Sequence, residues 1–424
     1  MKHLRGLLSL SPLLVFLLVY LGSSVAAGDF YRVPVSAAFL IACIYAVLIA
    51  KGSLEERLIT FSRGAGHPDL LLMIWIFVLA GAFTGVARSI GSVDATVALA
   101  IRVIPPGMLY AGLFLTACFI SMAIGTSVGT IVALVPIGAG IAAQCDSSLA
   151  YMTAVTVGGA LFGDNLSFIS DTTIAATRAA GCEMKDKFKT NIIIILPAVV
   201  VVTVIYLIHG RDLQAVTAQQ TLHWVRIIPY VLIIVLSLLG CNVTLSLAIG
   251  ILSCTIIGFA GGNLTWIGAL EALGGGIAGM NDLIVVTLLA GGLLEIIRTQ
   301  GGLDYIINGL SSLARGPRAA QASIAALVSV ANLCTANNTI AIITTGSIAR
   351  NISEKFGVDP RKVASILDTF SCMVQGFIPY GAQLLMASGL AGVASTAIIP
   401  YLYYPGIMGL CAILAIIFDY PHFK

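Results

Sequence analysis

Charge is scarce in this chain. Only 10% of its 424 residues are Asp, Glu, Lys or Arg, against roughly 25% in soluble globular proteins. That excludes the solvated surface a soluble protein of this size needs. Histidine is nearly absent, at five residues, and no H-E-x-x-H occurs, so a histidine-built metal centre is excluded. The nine cysteines (Cys43, Cys118, Cys145, Cys182, Cys241, Cys254, Cys334, Cys372 and Cys411) form no C-x-x-C pair. Their odd number and scatter through apolar runs suggest no disulfide framework; they read as small core residues. No basic cluster interleaves with aromatics, so nucleic acid is not an expected partner. No ATP-binding P-loop appears either, so the chain is not expected to draw on ATP.

What the chain has is apolar length. Hydrophobic residues make up 58%, and mean hydropathy is +1.02. The apolar blocks run about 17–25 residues, enough to cross a hydrocarbon core as helix. Uniform runs with little period-2 alternation exclude a transmembrane barrel. The lipid bilayer is therefore the first partner. Candidate spans are 8–27, 34–50, 70–87, 191–209, 226–240, 243–260, 281–297 and 396–418. The first also has the basic start and small residues of a signal peptide, but is expected to stay as a span. Residues 105–143 and 320–350 are too long for one straight span, and each is interrupted, by "GTSVGT" at 125–130 and "CTANNT" at 334–339. Their flanks look too short to span alone, so each is expected to be a re-entrant hairpin with a polar tip. Residues 149–178 and 363–392 are broken at "GDNLSFISDTT" and "QGFIPYGAQ".

Basic residues test this layout. With the N-terminus inside and both hairpins returning to their own side, 17 of the 22 Lys and Arg fall inside; Arg32, Arg88, Arg102, Arg211 and Arg226 fall outside. That is the cytoplasmic bias expected of short loops, and it puts both termini in the cytoplasm. The chain also repeats itself. "LAGAFTGVARSIGSVD" (79–94) aligns without a gap to "LAGGLLEIIRTQGGLD" (289–304), 210 residues later. Thr126 and Thr130 meet Thr335 and Thr339 at 209, and Gly163 meets Gly376 at 213. In the layout, 70–87 runs outward and 281–297 inward, so the halves are inverted. Inverted repeats with interrupted helices near the midplane characterise secondary transporters. The expected fold is an all-α polytopic membrane protein of around ten spans, with two inverted-topology repeats, re-entrant hairpins and discontinuous transmembrane helices. It divides into N-terminal spans (1–69), repeat 1 (70–190), connecting spans (191–280), repeat 2 (281–395) and a C-terminal span (396–424).

A helix break inside lipid is tolerated only where protein or a water-filled cavity receives the freed backbone groups. Freed carbonyls and half-helix carboxyl ends suit cations, and half-helix amino ends suit anions. The breaks also supply oxygen-bearing side chains. The candidate cation ligands are Thr126, Ser127 and Thr130 at the first tip; Asp164, Asn165, Ser167, Asp171 and Thr172 at the second break; Asn337, Asn338 and Thr339 at the third; Asp368 before the fourth; and Glu295 near the end of its span. Intramembrane aspartate costs about 2.5–3.5 kcal/mol on insertion scales, so such residues pair or work. One carboxylate that holds either a proton or a sodium ion is the minimum device for exchanging the two. Each residue has a plainer reading. Asp164 and Asp171 can cap a half-helix, Glu295 can pair with Arg298, and the hydroxyls can bond within their own helices. His67 is a weaker candidate as a proton sensor, and "CEMKDKFK" (182–189) reads as a solvated cytoplasmic loop.

"GTSVGT" followed by "GALFGDNLSFISDTT" resembles the paired signature of the NhaC-type sodium/proton antiporter family, within the broader ion-transporter superfamily. The family patterns run GTSWGT and FGDKxSPLSDTT. Gly125, Thr126, Ser127, Gly129 and Thr130 match the first; Phe162, Gly163, Asp164, Ser167, Ser170, Asp171, Thr172 and Thr173 match the second. Val128 replaces the tryptophan, Asn165 the lysine, Phe168 the proline and Ile174 an asparagine, while "GFIPYGAQ" stands where many members have a proline-tryptophan-asparagine pattern. Losing the lysine beside Asp164 removes a positive charge from the site. The resemblance implies exchange of cytoplasmic sodium for external protons in a bacterial cytoplasmic (inner) membrane, no cofactor beyond the transported ions, and admits a homodimer. The family also includes carriers of small organic solutes, so a sodium- or proton-coupled carrier of an organic acid or amino acid is the alternative. An intramembrane aspartyl protease fails on Leu161, which stands where such enzymes need glycine. The inverted duplication disfavours a channel.

Overall fold

The computed structural model describes residues 2–27, 34–167, 170–213, 223–311 and 315–423. Among them every regular element is helical. In chain order these are α1 (Lys2–Ala27), α2 (Val35–Ile49), α3 (Leu54–Ala65), α4 (Pro68–Ser89), α5 (Ser92–Val103), α6 (Leu109–Ile124), α7 (Ser127–Gln144), α8 (Leu149–Leu166), α9 (Asp171–Ala180), α10 (Met184–Gly210), α11 (Trp224–Leu238), α12 (Val243–Ala260), α13 (Trp266–Ala278), α14 (Asn281–Thr299), α15 (Gly302–Ser311), α16 (Pro317–Thr335), α17 (Asn338–Phe356), α18 (Pro360–Phe377), α19 (Ala382–Ala391), α20 (Ser395–Ile398) and α21 (Tyr403–Ile417).

Among the described residues, six helical stretches are long and apolar enough to cross a membrane alone, or seven with the bent pair at 360–401. Four shorter apolar helices accompany them, including Val35–Ile49 and Tyr403–Ile417. At about 1.5 Å per residue these last two are roughly 22 Å long, short of a core about 30 Å thick. The expected span 396–418 is not continuous: Pro400 and Pro405 lie in it, and only Tyr403–Ile417 is a full helix. In the other direction, α13 joins α14 in one apolar stretch, Trp266–Thr299, where the layout had only a connection.

Both interrupted stretches fold as pairs of packed helices. Leu113 of α6 lies 3.2 Å from where a Cβ on Gly138 of α7 would sit, so the two arms run back along each other. α16 likewise packs on α17. The arms are longer than the sequence suggests, since Pro106–Ile124 and Ser127–Gln144 each have the length and hydropathy to cross alone.

A helix, a short helix, a hairpin and a broken helix follow one another twice, as α4 to α9 and as α14 to α19. The backbone matches in detail. Gly91 and Gly301 both turn with positive φ, 71° and 81°. Thr126 and Asn337 both sit at φ −144° as the residues before α7 and α17. They are 211 residues apart, so the structural counterpart of Thr126 is Asn337 and not Thr335, two residues earlier. The hydroxyl match at 209 misses the turn: the left-handed residue is Gly125 in the first tip and Ala336 in the second.

The packing forms two groups. α6, α7 and α9 lie against α8 or its break, α17 and α18 against α9, α19 against α7, and α10 against α18 and α21. On the flank, α13 and α12 lie on α4, and α2 and α3 on α14. The breaks meet in the first group.

Candidate functional site

Each break has a local cause. α6 ends where Gly125 enters the left-handed region, φ 78°. α18 ends at extended Ile378, φ −78° and ψ 109°, the conformation that the following Pro379 imposes on its neighbour. α8 ends at Leu166 and α9 begins at Asp171; Phe168, which stands where the family pattern has proline, lies outside the described residues.

The four breaks line one cavity of about 440 Å³. Gly125, Thr126, Ser127 and Val128 come from the first tip; Asp164, Ser170, Asp171 and Thr172 from the α8–α9 break; Ala336 to Ile340 from the second tip; and Gln375, Ala382 and Gln383 from the α18–α19 break. Leu70, Leu72, Met73 and Ile76 of α4 supply an apolar wall. Of the predicted ligands, Thr126, Ser127, Asp164, Asp171, Thr172, Asn337, Asn338 and Thr339 are thereby brought together.

Asp164 is buried and addresses the start of α7. One carboxylate oxygen accepts from the Ser127 N–H at 3.0 Å and the other from its hydroxyl at 2.6 Å. The first N–H groups of a helix have no partner inside it and carry partial positive charge. So Asp164 caps a half-helix, but one from a different element than its own. Ser127 Oγ also accepts from Gln383 Nε2 at 2.9 Å; Gln383 Oε1 accepts from Gln375 Nε2 at 2.9 Å, and Gln375 Nε2 donates to the Ala336 carbonyl at 3.1 Å. This chain of bonds crosses all four breaks. Gln375 stands 211 residues after Asp164, so the second half has a neutral amide where the first has a carboxylate. Its Oε1 is buried without a partner among the described residues.

Several hydroxyls serve the backbone. The Asp164 carbonyl, freed by the end of α8, accepts from Thr172 Oγ1 at 2.6 Å and Ser170 Oγ at 3.1 Å. Thr130 is buried outside the cavity lining and donates to the Thr126 carbonyl at 3.2 Å. Asn337 caps α17 by accepting from the Ile340 N–H at 3.0 Å. Asp171 opens α9 and is exposed to the cavity.

Besides Thr130, four predicted ligands lie elsewhere. Ser167 and Asn165 are buried behind the cavity wall. Glu295 faces a separate cavity beside Gly64, His67 and Tyr380, and forms an ion pair with Arg298 at 3.0 Å. Asp368 is fully buried and pairs with Lys187. That pair corrects the reading of 182–189 as a solvated loop: α10 begins at Met184, and Lys187 is a buried residue of its first turns. Its ammonium donates to the Asn165 carbonyl at 2.5 Å and Thr173 Oγ1 at 2.7 Å. Lys187 thus brings a positive charge from another helix to the Asn165 carbonyl. A signal was present. Lys187, Asn191, Ile195, Ala198 and Val202 form one i, i+3/i+4 stripe, and all are buried.

Among the described residues no group of three or more His, Cys, Asp or Glu side chains could hold a metal ion. The cavity's oxygen is mostly amide, hydroxyl and carbonyl, with Asp164 and Asp171 as its carboxylates.

The floor under Asp164 is tightly built. A Cβ on Gly163 would lie 2.2 Å from the carbonyl and hydroxyl of Ser121 on α6, and one on Gly159 2.5 Å from the Phe114 carbonyl. Backbone cannot retreat like a side chain, so Gly163→Ala should cost about 1–3 kcal/mol or more. Gly274→Ala, with nothing within 4 Å, should be neutral or mildly stabilising. Melting temperatures of the two variants in detergent check this; equal values would contradict the packing.

The sequence model of the Na+/H+ antiporter family matches residues 8–211 and 215–420. An uncharacterized Na(+)/H(+) antiporter of Haemophilus influenzae is 24% identical over 79% of each chain. A malate-2H(+)/Na(+)-lactate antiporter of Bacillus subtilis is 23% identical, covering 99% of this chain and 96% of its own. The Na(+)/H(+) antiporter NhaC of Alkalihalophilus pseudofirmus is 23% identical, over 92% and 90%.

Proposed function

Since the chain belongs to the Na+/H+ antiporter family, a family of gradient-driven membrane carriers, we propose that its four-break cavity is where sodium and protons compete. The observation that carries this reading is Asp164, a buried carboxylate at the cavity wall that is held by Ser127 and braced through Gln383 and Gln375. Sodium that sheds its water needs oxygen ligands, and Thr126, Ser127, Asp171, Asn337 and Thr339 surround the same space. Protonation of Asp164 removes the charge that holds the ion; deprotonation restores it. The two similar runs of elements, at 70–190 and 281–395, are read as inverted repeats that expose the cavity to either side in turn. Reconstituted protein under an imposed sodium gradient should move protons in the opposite direction, read by a pH-sensitive dye inside the vesicles. Sodium gradients that move no protons would end this reading.

A second reading has its own observation. First-turn residues of α7, α9, α17 and α19 all line the cavity, and helix amino ends favour negative groups. That suits a carboxylate substrate, and the Bacillus subtilis relative is named for malate and lactate. Sodium uptake that requires an added organic acid would favour this carrier over simple exchange.

A further inference from the structure

Lys187 sits in an unusual pocket. Its ammonium has three N–H groups, and three acceptors meet them: the Asn165 carbonyl, Thr173 Oγ1 and the Asp368 carboxylate. The acceptors come from the end of α8, from α9 and from α18. The side chains of Lys187 and Asp368 are 1% and 0% exposed. Asn191 Nδ2 closes the ring, donating to the Asn165 carbonyl at 3.2 Å and Asp368 Oδ2 at 3.3 Å. The amide oxygens of Asn165 and Asn191 are buried with no hydrogen-bond partner among the described residues. A carboxylate, a freed half-helix carbonyl and a hydroxyl are the kind of donor set a desolvated monovalent cation requires. None of it lines the main cavity.

We propose that this is a second cation site whose occupant is the chain's own lysine. The tethered ammonium holds the place of a metal ion beside Asp368, and so leaves the mobile ion only the Asp164 side. The choice of sodium as the ion that fits rests on the reading of the main cavity, but occupancy by Lys187 does not.

The test compares melting temperatures of the purified full-length protein in sodium chloride and in equal choline chloride. Lys187→Ala opens the space, so sodium should raise its melting temperature by on the order of a few degrees beyond the wild-type response. Lys187→Met fills the space with an apolar stem and should show no such gain. Adding Asp368→Asn to Lys187→Ala should abolish the gain. The gain should also persist when Asp164→Asn is added, because none of the three groups that hold the Lys187 ammonium is Asp164. A Lys187→Ala protein with no greater sodium response than wild type would overturn the proposal. So would one that fails to fold in sodium and choline alike while Lys187→Ala/Asp368→Asn folds. Failure of the main-cavity reading is distinct: wild type and Asp164→Asn would then respond to sodium identically.

Discussion

Asp164→Asn should abolish sodium-dependent proton movement in vesicles while leaving a folded protein. Asparagine keeps the shape and one acceptor, so the Ser127 N–H at the start of α7 can still be met at the 3.0 Å separation that Asp164 uses. The charge is what disappears. Truncating one member of a buried, hydrogen-bonded charge interaction costs about 2–5 kcal/mol, roughly 30- to 5000-fold in affinity. Sodium binding by titration calorimetry should fall by that range, and dye-reported proton flux should fall to the level of empty vesicles. Asp171→Asn should do less, because Asp171 is exposed to the cavity and water can replace part of its interaction. Retained flux in Asp164→Asn would move the ion elsewhere in the chain.

The second large effect concerns Lys187. In sodium-free buffer, Lys187→Met should lose about 3–5 kcal/mol, because it strands the fully buried Asp368 carboxylate without its cation. Asp368→Asn alone should be similarly harmful, since it leaves the buried ammonium uncompensated. Together the two changes remove both charges, and the double variant should regain most of the loss, so the coupling should exceed either single loss, at about 3–5 kcal/mol or more. Denaturant unfolding of all four proteins measures the cycle. Additive losses would mean that the ion pair is incidental.

The architecture was legible in the sequence wherever the signal was apolar length or a break in it. "GTSVGT" and "CTANNT" interrupt hydrophobic runs that nothing polar should enter, and their physical cost in lipid marks them as tips. The register between the halves was less legible. Matching threonines suggested an offset of 209, whereas the backbone equates Thr126 with Asn337, because a turn is defined by dihedral angles and not by which side chain it carries. The break at "QGFIPYGAQ" matches the end of α18, whereas Pro400 and Pro405 stand inside an apolar run whose length alone suggests an unbroken span. Asp164 stood out because carboxylates are rare in such surroundings. Lys187 did not, because it follows several charged neighbours and resembles a loop residue until the stripe it shares with Asn191 and Ile195 is traced. Glu295 shows the converse: an acidic residue in an apolar span whose partner, Arg298, is one turn away. Local pairing of that kind cannot be told from a working site by sequence position.

The hydrogen bond from Gln383 to Ser127 spans 256 positions of the chain. It acts as a keystone between the first hairpin tip and the α18–α19 break. Lifting either by itself would strand a buried amide and a buried hydroxyl, each at about 1–3 kcal/mol. While that bond holds, α7 and α19 can move only together, along the apolar wall that Leu70, Met73 and Ile76 of α4 give the cavity.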